Sequence, residues 1–176
     1  MKYISVLIIL FLFSFNALGC NTKNESPESK LSDSSLTPGD KKASNFTLKS
    51  TDGKEIKLSD YKGKIVILDF WATWCGPCRR GVPELISIQK EFKDDVVIIG
   101  ISLDAESTKD DIKPFMKEMG INYPIVYGDD KVVTDFGGIE AIPTSFVIDR
   151  QGNIVDQHVG LVSKDVFTNK IKELKK

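Results

Sequence analysis

Ile65-Val66-Ile67-Leu68-Asp69-Phe70-Trp71-Ala72-Thr73-Trp74-Cys75-Gly76-Pro77-Cys78 is the stretch on which the reading of this chain turns. From Ile65 to Phe70 the run is almost continuously apolar and rich in β-branched residues, which suits a strand buried on both faces. Beyond it Val82, Leu85, Ile86, Ile88 and Phe92 recur at helical spacing, so a strand ends and a helix begins near Cys75. A Cys at a helix start and another three residues on have Cα atoms roughly 5 Å apart. That separation suits a disulfide. The first-turn N–H groups lack intrahelical acceptors and the helix dipole is positive there, so a Cys75 thiolate is favoured over its thiol. Such a thiolate attacks disulfides, and Cys78, one turn away, resolves the mixed disulfide. The pair reads as a reversible two-electron redox switch.

C-x-x-C has two other readings. Half of a zinc site needs four sulfur or nitrogen ligands in total, and the chain holds three Cys and one His. An inert structural disulfide closing so short a loop constrains little chain entropy.

On Phe70 to Cys78 the sequence resembles the thioredoxin active-site signature, inside a frame similar to the TlpA/ResA-like, membrane-anchored thiol-disulfide oxidoreductases. The resemblance runs from about Ser44 to the C-terminus. It implies a thioredoxin-like α/β fold, a central mixed β-sheet flanked by helices, with an N-terminal β-hairpin and a central insertion. It implies Cys75 and Cys78 as the catalytic pair, with no cofactor. It also implies that Trp74, Gly76, Pro77, Ile142 and Pro143 contact the substrate. Pro143, in Ala141-Ile142-Pro143-Thr144, matches the family's cis-proline, although an X–Pro bond taken by itself is expected to be trans. With Pro143 cis, the Ile142 backbone offers N–H and C=O to an extended substrate segment.

Asp69 matches the buried acid of thioredoxins. Burial of a carboxyl raises its pKa, which equips Asp69 to take the Cys78 proton as the mixed disulfide resolves. The competing expectation is that Asp69 turns to a polar loop and satisfies backbone donors. Many TlpA/ResA-like proteins have Asn at this position and Glu shortly after the second Cys. Here those positions hold Asp69 and Gly81.

The flanks follow from composition. The 176 residues are 41% hydrophobic and 28% charged, enough for one domain with extra segments. A net charge of -1 and the lack of a basic stripe argue against nucleic acid. Met1-Lys2, an apolar run from Tyr3 to Phe15 and small residues before Cys20 form a secretory signal pattern. Ala17-Leu18-Gly19-Cys20 resembles a bacterial lipoprotein box, which implies a signal peptide over 1–19 and lipidation of Cys20. The alternative is an uncleaved anchor, short of the ~20 apolar residues of a full span. Residues 20–43 read as a lipidated Cys and flexible linker, because Ser, Asn, Lys, Glu, Pro and Asp leave too little apolar surface to fold. The domain proper is expected over 44–176.

Within it, Phe46 to Lys49 and Glu55 to Leu58 flank Asp52-Gly53 as a hairpin. Val96 to Ile101 reads as a second buried strand, and Thr108 to Met119 as a helix disturbed by Pro114 and stopped by Gly120. Ile121 to Tyr127 reads as a short strand and Asp130 to Phe136 as a helical turn or two. Thr144 to Asp149 and Asn153 to Val159 form a hairpin around Arg150-Gln151-Gly152. A final helix starts near Ser163. Pro83 falls inside the helix that carries the cysteines and is expected to kink it.

Gly76-Pro77 between the cysteines matches reducing thioredoxins. Their potential lies at about −270 mV, against about −120 mV for the oxidant DsbA. The expectation is a monomeric extracytoplasmic protein-disulfide reductant with a membrane thiol relay as donor. By resemblance its acceptors are apocytochrome c or copper-chaperone cysteines. Two rivals share the fold. A thiol peroxidase would carry Thr and Pro three and seven residues before its Cys, where Ala72 and Leu68 stand. A copper-binding assembly protein would need His158, the one imidazole present. Arg79 and Arg80 could lower the thiol pKa, but on an exposed helix face solvation is the plainer reading.

Overall fold

The computed structural model describes residues 41–176. Strand β4 (Ile65–Trp71) is its axis: all seven residues are buried. It runs parallel to β5 (Val96–Ser102), which runs parallel to β6 (Ile125–Tyr127). On its other side β7 (Thr144–Ile148) is antiparallel, followed by antiparallel β8 (Asn153–Val159). The central sheet is therefore mixed, as the resemblance implied: parallel across β4, β5 and β6, and antiparallel across β7 and β8. The order is β1-β8-β7-β4-β5-β6, with β1 (Lys41–Lys42) paired to Ile154 and Asn153. The sheet thus begins inside the expected linker. Two exposed lysines on a sheet edge carry no hydrophobic period, so the sequence gives no sign of this strand.

Alternation along β4 divides the interior into two layers. Ile65, Ile67 and Trp71 pack with Val82, Leu85 and Ile88 of α1 (Gly76–Glu91), Ile112 and Phe115 of α2 (Ile112–Met119), and Phe167 and Ile171 of α4 (Lys164–Leu174). Val66, Leu68 and Phe70 pack on the opposite face with Val132 of α3 (Asp130–Asp135) and with Phe46, Leu48 and Leu58. Phe136 sits at the centre of that second layer, its ring 5.2 Å from Phe146, 5.7 Å from Phe70 and 6.4 Å from Phe46. Burying each such aromatic or large aliphatic side chain contributes about 1.5–3 kcal/mol.

The hairpin of β2 (Thr47–Lys49) and β3 (Glu55–Lys57) turns through Gly53 at φ +88°. It is joined to β6 by the Ser50–Val126 bridge. Leu58 leaves β3 to begin a 3-10 turn, Leu58–Tyr61. Pro114 does not disturb α2, because the helix starts at Ile112 and Pro114 falls in its first turn, where N–H groups have no partner to lose. A 3-10 turn over Lys109–Asp111 takes up the rest of the expected helix. Gly120 ends α2 in the left-handed conformation at φ +68°. Pro83 lies within the continuous helix α1. Phe167 and Ile171 form the packed face of α4, while Val166 is 39% exposed. No helix among the described residues is long and apolar enough to cross a membrane. Cys20, the expected signal peptide and residues 20–40 of the expected linker lie outside the described residues.

Candidate active site

The carboxyl ends of β4 and β5 hold the site. Cys75 is the N-cap of α1, with Gly76 and Pro77 as the first helical residues, where a proline costs no hydrogen bond. The Cys78 N–H donates to Cys75 Sγ at 3.2 Å, so sulfur occupies the place of a capping oxygen. Cys75 and Cys78 are joined as a disulfide with Cα atoms 5.3 Å apart, in line with the separation inferred from helix geometry. Both cysteines are largely buried, while Trp74 beside them is 61% exposed. Gly76 and Pro77 are exposed as well.

The Ile142–Pro143 peptide bond is cis. Cys75 Sγ lies 3.7 Å from the Ile142 carbonyl oxygen, to which a reduced thiol can donate. Ile142 precedes β7, so its backbone stands outside that strand's ladder. Two bonds fix the loop: Gly160 N–H donates to the Pro143 carbonyl at 2.7 Å, and Thr144 Oγ1 donates to that of Ala141 at 2.7 Å. The chain thus brings Trp74, Gly76, Pro77, Ile142 and Pro143 around one disulfide, from segments nearly seventy residues apart.

Asp69 follows the alternation of β4 and faces α1, not a polar loop. It lines a cavity of about 20 Å3 together with Cys78, Glu84, Pro143 and Ser145. Ser145, its neighbour across the strand pair, donates to Asp69 Oδ1 at 2.9 Å. Burial raises the Asp69 pKa from 3.8 to about 7, with the Ser145 hydrogen bond acting in the opposite direction. A carboxyl poised there near neutrality suits a proton acceptor for Cys78.

A clamp that sequence reasoning missed holds the segment before Cys75. Asp104 accepts from Thr73 N–H at 3.0 Å, from Thr73 Oγ1 at 2.5 Å and from Ser102 Oγ at 2.8 Å. Its place just past the carboxyl end of a parallel strand was the available signal. Arg79 is more than solvated: it donates to the Thr73 carbonyl at 3.2 Å and covers the Phe115 ring at 4.7 Å. Arg80 is exposed. His158, opposite Ser145 in β8, has Nε2 3.3 Å from Asp156 Oδ2 and its ring edge-on to Phe167.

A family model described as AhpC/TSA matches residues 39–157, about two thirds of the chain. This chain belongs to the AhpC/TSA family. Within it, the chain is 38% identical over 125 residues to the thiol-disulfide oxidoreductase ResA of Bacillus subtilis (strain 168), covering 71% of this chain and 69% of the relative. It is 35% identical over 134 residues to ResA of Bacillus anthracis, covering 76% and 77%. A putative thiol:disulfide interchange protein DsbE from Chlorobium tepidum superposes with a TM-score of 0.70 at 33% identity, over 76% of this chain and 95% of that one. The pneumococcal exposed lipoprotein thioredoxin Etrx1 of Streptococcus pneumoniae strain TIGR4 gives 0.66 at 34% identity, over 74% and 100%. The fold is therefore thioredoxin-like, and the chain is a ResA-like thiol-disulfide oxidoreductase. The peroxidase positions within this AhpC/TSA member are Ala72 and Leu68. Leu68 is fully buried in the second core layer, on the sheet face away from Asp69.

Proposed function

We propose that this oxidoreductase works as a reductant of protein disulfides outside the cytoplasm, held at a membrane through Cys20. One observation carries the direction of electron flow. Among the described residues, the single hydrogen bond donated to Cys75 Sγ comes from the Cys78 N–H, while Arg79 is engaged with Thr73 and Phe115. A strong oxidant owes its potential to a stabilised reduced form. A thiolate with one backbone donor and no cation bonded to it has modest stabilisation, so the disulfide form remains favoured and the dithiol gives up electrons.

The chemistry balances within the site. The Cys75 thiolate attacks a substrate disulfide, forming a mixed disulfide and expelling one substrate thiolate. Asp69 accepts the Cys78 proton, and the Cys78 thiolate attacks Cys75 Sγ. The Cys75–Cys78 disulfide forms and the second substrate thiolate leaves. Two electrons pass to the substrate. Trp74, Ile142 and Pro143 flank the bond that breaks, and the Ile142 backbone offers an extended peptide a partner. The resemblance supports apocytochrome c or copper-chaperone cysteines as acceptors and a membrane thiol relay as donor. The signal pattern before Cys20 supports the location.

Trapping tests the reading. In cells, full-length Cys78→Ser should accumulate disulfide adducts through Cys75 in the membrane fraction. Adding Cys20→Ser should move those adducts to the soluble fraction. Absence of adducts in reducible form, or adducts confined to cytoplasmic proteins, would overturn it.

A further inference from the structure

Glu84 has no part in the scheme above, and its placement is unusual for a helix-surface glutamate. It lies one turn beyond Gly81 on α1, and its side chain turns inward to line the same cavity as Asp69 and Cys78. Glu84 Oε2 has no exposed surface and accepts no hydrogen bond among the described residues. The residue as a whole is half-buried. A buried carboxylate oxygen without a donor is costly, on the order of 1–3 kcal/mol or more. Such an atom calls for a proton or a water.

The cavity of about 20 Å3 has room for one water, and the Asp69 and Glu84 carboxyls and the Ser145 hydroxyl supply the two or more polar partners a water needs. Gly81 shapes this space: a Cβ there would come within 3.1 Å of Leu161 Cδ1, another residue lining the cavity. We propose that Asp69 and Glu84 form a coupled carboxyl pair around one water, through which the Cys78 proton passes from Asp69 to Glu84 and out to solvent.

Atoms balance along this route. Cys78 loses a proton to Asp69. Asp69 returns to its carboxylate by passing the proton through the water to the Glu84 carboxylate, and the protonated Glu84 releases it at the surface. Glu84 acts through Asp69 and is a positioning and relay residue; it does not touch sulfur. Other polar groups around Asp69 do not offer the same exit. Ser145 already donates to Asp69. His158 of β8 has its Nε2 3.3 Å from Asp156 Oδ2 without a hydrogen bond, and its ring stands edge-on to Phe167. Lys164 of α4 is engaged by Glu91 and Ser87. Tyr123 is buried and its phenol pKa is raised, first by burial and then by the Asp69 charge.

The inference rests on the reading of Asp69 as the base for Cys78, yet its test needs no substrate. Carboxyl carbons of the oxidised full-length protein are titrated by NMR, with Asp69→Asn used to assign the Asp69 signal. In the wild type, Asp69 should titrate in two coupled steps. Glu84→Gln removes the neighbouring charge while keeping the shape, and should move the Asp69 midpoint down by roughly half a pH unit or more. The acid limb of the rate of mixed-disulfide resolution should move with it. A single-step Asp69 titration in the wild type, or an Asp69 midpoint unmoved in Glu84→Gln, would overturn the pair. The wild-type titration decides the matter alone if the variant does not fold. Failure here would leave the direction of electron flow untouched, because that is read from the Cys75–Cys78 reduction potential and not from titrations.

Discussion

Asp69 sits in a strand whose other six residues are apolar, and its consequences run in two directions. Its pKa of about 7 lies well above the unfolded value near 3.8, so the folded state holds a proton that the unfolded chain has already released between those two values. Protons bound in excess by the native state make stability fall as pH rises. Stability should therefore be highest below pH 4 with respect to this group and decline through about pH 7, by an amount on the order of a few kcal/mol. Asp69→Asn should remove that slope and leave the oxidised protein more stable at pH 8, as measured by denaturant unfolding at pH 5 and pH 8. The same substitution should slow resolution of the Cys75 mixed disulfide above neutral pH by roughly 10²-fold, since a general base is lost. An unchanged rate would remove Asp69 from the proton path. The acid itself was legible, because an Asp inside a buried strand stands out. Its hydrogen bond from Ser145 was not, since that depends on the register of β7 against β4. Glu84 carried no sequence signal at all: on an amphipathic helix a glutamate reads as surface.

Helix α1 and the segment before it set how well the cysteines are aimed. Cysteine spacing and helical period were visible in the chain, and they predicted the N-cap position of Cys75. What they could not supply was the restraint on Thr73, which comes from Asp104 at the end of the neighbouring strand, 31 residues away. Because Asp104 takes three hydrogen bonds from Thr73 and Ser102, its loss leaves the Thr73 N–H and hydroxyl without acceptors. Asp104→Ala should cost roughly 1–3 kcal/mol of stability. It should also slow the first attack by Cys75 on a disulfide peptide more than it changes the peptide's affinity, followed by stopped-flow Trp fluorescence. A variant as stable and as fast as wild type would show that the Cys75 end of the helix is held by α1 alone. Gly100 shows why one glycine in β5 is required. A Cβ there would come within 2.4 Å of Ile125 Cδ1 and 3.0 Å of Trp71 Nε1, so the indole beneath the active-site loop needs that space.

The whole molecule joins two kinds of strand connection in one sheet, and that junction makes the site. The parallel β4–β5–β6 half delivers Cys75 and Asp104 at its carboxyl edge. The antiparallel β7–β8 half brings Ile142, Pro143 and Gly160 to the same edge. Alternating strand and helix signals foretold the first half, and the Arg150-Gln151-Gly152 turn foretold the second. The two-residue edge strand β1 and the split of residues 108–119 into a 3-10 turn and α2 were beyond reach, because short polar edges and helix starts are set by tertiary contacts. A site assembled this way has a single backbone donor to Cys75 and the buried Asp69 behind Cys78, and the potential follows from both. The measurement is the Cys75–Cys78 reduction potential, obtained by equilibrating the protein with dithiothreitol or glutathione mixtures and reading Trp fluorescence. A value near about −270 mV is predicted for a dedicated reductant, whereas a value near about −120 mV would mean a stabilised dithiol and an oxidase, contradicting the direction of electron flow proposed here.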